Sequence, residues 1–100
     1  MELTNSIMEL ISEYYKPYGL DKDVVRLIEE TSRELEKEGV ELTEELVLKG
    51  LRLMLDLAES EALRHNNIDR FGYFLSKAVH KKVLKNYLTI YIRFKGVSQD

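Results

Sequence analysis

One hundred residues with 44% apolar and 33% charged content, five glycines and a single proline describe one folded domain around one core. That profile excludes a disordered or fibrous chain, and the absence of cysteine excludes a disulfide framework or a thiolate zinc site. The net charge of −3 hides a division: residues 1–62 carry sixteen acids and seven bases (−9), residues 63–100 two acids and eight bases (+6).

The opening stretch MELTNSIMELISEYY lacks the basic flank, continuous apolar run and small-residue cleavage site of a secretory signal, so none is expected. Nowhere do about 18 apolar residues run together, so no membrane span is expected, and a cytoplasmic location is the default. A first helix is predicted from Thr4 or Asn5, both good caps, to about Lys16. Ile7, Leu10, Ile11, Tyr14 and Tyr18 share one face of it, and Pro17 and Gly19 stop it. The run YYKPYG invites a reading as an aromatic binding patch. Tyrosines at this spacing are more often core residues with their hydroxyls at the surface.

The second helix opens at Asp21 and should close at Gly39. Val24, Leu27, Ile28, Thr31 and Leu35 form its apolar stripe, and a solvated charged face lies opposite, with Glu29 and Arg33 as a favourable i,i+4 pair. The third helix starts at Thr43 and reaches about His65. Its apolar residues cover an arc of about 220°, far more than one buried face needs, so it must be packed on several sides. Gly50 lies within that arc and marks the close approach of a neighbouring helix. The expected fold is therefore mainly α: a single domain, 1–100, of four helices around a central third helix over about 44–65.

Asn66 or Asn67 caps a fourth helix predicted from about Ile68 to Lys85. Phe71, Leu75, Ala78, Val79 and Val83 occupy one side, while Arg70, Lys77, Lys81 and Lys85 fall within about 80° on the other, with Phe74 among them. After Asn86 the period changes. In YLTIYIRF, Leu88, Ile90, Ile92 and Phe94 alternate with Tyr87, Thr89, Tyr91 and Arg93, a two-residue repeat rich in β-formers. A short C-terminal β-strand over about 87–94 is the expectation, paired with residues 39–42 or with the same strand of a second chain. The competing outcome is a long helix whose end docks against a partner. Either leaves apolar surface on Tyr87, Leu88, Ile90, Tyr91, Ile92 and Phe94, which points to a homodimer interface.

Motifs for catalysis are missing from the sequence. His65 and His80 are fifteen residues apart with no metal-ligand spacing, no serine sits in a G-x-S-x-G elbow, and the glycines are scattered singly. No enzyme activity, cofactor, metal or small-molecule substrate is expected. The many Glu and Lys residues would suit a thermophile.

The stretch RFGYFLSKAVHKKVLKNY, residues 70–87, has cations and aromatic rings and no acid. Cations at 70, 77, 81 and 85 span about 22 Å of helix, a spacing compatible with successive phosphates, and binding there would be salt-dependent. The expected function is therefore non-enzymatic nucleic-acid binding, DNA before RNA, through Arg70, Phe74, Lys77, Lys81, Lys82, Lys85, Arg93 and Lys95. Arg64 and Tyr73 extend that surface, since aromatic rings stack on sugars or unpaired bases. The alternative is an assembly or regulatory subunit that dimerises through its C-terminal segment and has no nucleic-acid role. In a third reading the basic side of one subunit meets the acidic second helix of another.

Overall fold

The computed structural model describes residues 2–98, and side chains from residue 2 to 94. Five helices form among them: α1 Asn5–Tyr14, α2 Asp21–Lys37, α3 Glu44–Arg64, α4 Phe71–His80 and α5 Val83–Ser98. Single 3₁₀ turns at Lys16–Tyr18 and Ile68–Arg70 join α1 to α2 and lead into α4. None of the described helices is long and apolar enough to cross a membrane.

Threonine caps set the first and third helices. The Thr4 hydroxyl accepts from the Ile7 amide at 3.4 Å, and the Thr43 hydroxyl accepts from the Leu46 amide at 3.3 Å. The same Thr4 hydroxyl donates to the Glu44 carboxylate at 2.7 Å, tying the start of α1 to the start of α3. Further along, the Tyr15 hydroxyl donates to the Leu51 carbonyl at 2.6 Å, so the two helices run side by side in the same sense. Burial pushes the Tyr15 phenol well above its ordinary pKa, so it stays a donor. Tyr15, fully buried, continues the Ile7–Ile11 stripe, whereas Tyr14 and Tyr18 are about half exposed. The expected assignment of Tyr14 and Tyr18 to the core face gives way because an i,i+4 line of 7, 11 and 15 points at α3.

The predicted stripe of α2 is buried as expected, and its one hydroxyl, on Thr31, donates to the Leu27 carbonyl at 2.7 Å. Gly39 ends α2 in the left-handed region, φ +75°, while Val40 N–H donates back to the Leu35 carbonyl at 2.9 Å. The third helix is central: α3 packs against α1, α4 and α5, burying Val47, Gly50, Leu51, Met54, Ala58 and Ala62. A side chain at Gly50 would run into Leu84 of α5, so glycine is what lets α5 seat.

Two expectations need correction. The fourth helix does not run on to Lys85. It ends at His80, and the chain turns through Lys82 in the left-handed region, φ +57°, before α5 starts at Val83. No glycine or proline marks this break. It is imposed because Leu75 and Val79 of α4, and Leu84 and Leu88 of α5, are all drawn into the same core.

Residues 87–94 are helix, not strand. The alternating residues divide into two i,i+4 pairs: Leu88 and Ile92 face inward, Ile90 and Phe94 face outward. A helix satisfies its own backbone hydrogen bonds, whereas a lone strand here would leave its amides without partners. Packing of Leu84 and Leu88 then overrides β-propensity.

Candidate functional site

Ion pairs run along the seam between α2 and the C-terminal half. Lys85 Nζ lies 2.8 Å from both carboxylate oxygens of Glu34, Arg93 3.6 Å from Glu38, and Lys82 4.0 Å from Glu30. His80 Nε2 lies 3.6 Å from Asp23, and its Nδ1 is 3.2 Å from the Ser76 hydroxyl. The hydrogen bond from Lys85, reinforced by its charge and by Lys82 and Lys37, holds the Glu34 carboxyl below its ordinary pKa. The split between acidic and basic halves is thus met in part within one molecule.

The eight residues expected to contact nucleic acid therefore do not form one stripe. Lys82, Lys85 and Arg93 lie beside carboxylates of α2. Phe74 is buried in the core, its ring stacked on His65 with centroids 5.4 Å apart. Lys95 lies outside the described side chains. Arg70, Lys77 and Lys81 are exposed and, among the described residues, have no carboxylate within ion-pair distance.

Arg70 and Lys77 flank an exposed ring. The Arg70 guanidinium lies 4.3 Å from the Tyr73 centroid and Lys77 Nζ 5.6 Å from it, so both cations lie within cation–π range of one tyrosine ring. Arg64 is neighbour to this group, but its guanidinium is hydrogen-bonded to Glu61 at 2.8 Å, lowering the pKa of the acid.

The six residues expected at a dimer interface also divide. Leu88 is fully buried within the protomer, and Ile92 packs against the same core. Ile90 is 68% exposed and Phe94 75% exposed, the highest values of any large apolar residue described. Tyr87 and Tyr91 lie beside them, ring centroids 5.9 Å apart, with Lys49 of α3 5.8 Å from the Tyr91 ring. Asn86, Ile90, Phe94, Tyr87 and Tyr91 span about 140° of α5 without a charge.

One signal was readable and missed. Glu30, Glu34 and Glu38 recur every four residues, a like-charge line that is unfavourable unless cations lie over it. Leu57, 42% exposed on α3, sits outside the buried stripe of that helix although it falls within the wide apolar arc. Among the described residues, no group of three His, Cys, Asp or Glu side chains is placed to hold a metal ion. Comparison with protein-family models, with curated proteins and with solved structures finds no match for the chain.

Proposed function

We propose that this protein is a non-enzymatic assembly module that associates with a second copy of itself through the outer face of α5. The observation that carries the reading is the uncharged outward arc of that helix, crowned by Ile90 and Phe94 at 68% and 75% exposure. Water contact at two such side chains is unfavourable by roughly 1.5–3 kcal/mol each relative to full burial. Ile90 and Phe94 also suit a twofold axis, because equivalent apolar side chains meet there without opposing like charges. Tyrosine and phenylalanine are residue types that anchor interfaces.

The test uses point substitutions. Truncation after Asn86 would remove Leu88 from the protomer core and confound association with folding. Sedimentation of the wild type at about 50 μM, well above a micromolar dissociation constant, should give a dimer. Ile90→Lys with Phe94→Lys should give a folded monomer, weakening association by roughly 30-fold or more. A monomeric wild type at that concentration would end the reading.

Nucleic-acid binding is the second reading, favoured by the Arg70–Tyr73–Lys77 group with Lys81 nearby. Sedimentation with and without duplex DNA discriminates between the two. Lys77→Glu with Lys81→Glu should then weaken binding to all sequences alike and flatten its salt dependence. Unchanged DNA binding in that variant would remove this surface from consideration.

A further inference from the structure

A cleft of about 720 Å³ lies between α1 and α3, away from the α2–α5 seam. Its floor is apolar: Leu10 of α1, Leu48 and Leu55 of α3 and Phe71 of α4 are each only partly buried. Leu48 and Leu55 are seven residues apart and lie on the flank of α3 that turns towards α1. Along α3 the lining runs from Leu48 to Glu59, about 16 Å, which matches three turns of an incoming helix.

The rim is acidic. Glu9 and Glu13 stand on the α1 side, Asp56 and Glu59 on the α3 side, and Arg52 is the one cation among the lining residues. None of these five makes an ion pair or a side-chain hydrogen bond among the described residues, in contrast with Glu30, Glu34 and Glu38 of α2. Glu9 and Glu13, four apart on one helix, repel each other while no cation lies over them. An open trough between two helices, with leucines accessible in it and unmatched carboxylates on both banks, asks for a third helix with apolar anchors and basic flanks.

We propose that the α1–α3 cleft docks a basic amphipathic helix of a partner protein, seating its apolar residues on Leu10, Leu48 and Leu55. This surface is separate from the α5 face, and each stands without the other. The probe is a labelled synthetic peptide of about fourteen residues, roughly four turns, with leucines at i, i+3, i+4 and i+7 spacing and lysines elsewhere.

Fluorescence anisotropy should show one peptide per protein, weakened by roughly tenfold or more in Glu13→Lys with Asp56→Lys. A control of identical net charge, Glu29→Lys with Glu41→Lys, alters acids away from the cleft and should bind like the wild type. Leu55→Asp should also lose the peptide while circular dichroism reports a folded chain. Absence of binding overturns the proposal, as does equal loss in the charge-matched control. Concentration-dependent chains of the protein alone, abolished by Glu13→Lys with Asp56→Lys, would assign the cleft to a second copy and overturn it too.

Discussion

The acids of α2 and those of the α1–α3 cleft are alike in composition and opposite in situation. Glu30, Glu34 and Glu38 are each met by a cation from the chain's own C-terminal part. Glu9, Glu13, Asp56 and Glu59 border a cleft that also exposes Leu10, Leu48 and Leu55, and meet none among the described residues. Local composition does not distinguish them. What differs is whether the fold brings an oppositely charged helix alongside, which depends on where Leu84 and Leu88 anchor α5. Matched charge is structural, and unmatched charge beside apolar surface is the better place to look for a partner.

Three measurements probe that contrast. The largest effect should come from the apolar backing of the seam. Leu88→Ala empties a fully buried site and should cost about 3 kcal/mol in denaturant unfolding, against roughly 1 kcal/mol for Leu55→Ala in the half-open cleft. Equal losses would mean that cleft and seam are packed alike.

Gly50→Ala comes next. Its methyl would press on Leu84, which is fully buried and has little room to yield. Overpacking should outweigh the gain in helix propensity and leave a net loss of about 1–2 kcal/mol. A stabilised variant would show that α5 does not sit tightly on α3.

The smallest effect is electrostatic. Because the folded Glu34 pKa is lowered by Lys85, the unfolded state takes up a proton more readily than the folded state. The pair's contribution is complete above the ordinary carboxylate pKa and drains away as pH falls through the lowered one. Wild type should therefore lose stability on acidification slightly more steeply than Glu34→Gln. Superimposable acid limbs would mean that the pair is idle in solution, as many exposed pairs are.

Much of the architecture was legible. The stripe of α2, the cap at Thr43, the closing turn at Gly39 and the central position of α3 follow from helical periodicity and terminator chemistry. The break after His80 was not, because Lys82 adopts a left-handed conformation that no local residue type announces. Residues 87–94 misled through β-propensity, a weak preference that packing reverses. The cations at 70, 77, 81 and 85 do not share one helix, because α4 ends at His80 and α5 begins at Val83. Wheel positions on one long helix lose their meaning once the chain bends between Lys81 and Val83.

Composition and periodicity alone determined that this chain is a helical domain, and that its charge is divided between two halves. Those properties depend on side-chain chemistry and on spacing within a turn or two, which need no knowledge of distant neighbours. Which cations are paired, which carboxylates stay unmatched and which face of α5 is left exposed were decided by tertiary structure. Each depends on pairs tens of residues apart, such as Glu34 with Lys85 and Gly50 with Leu84, whose meeting is set by packing of the whole core.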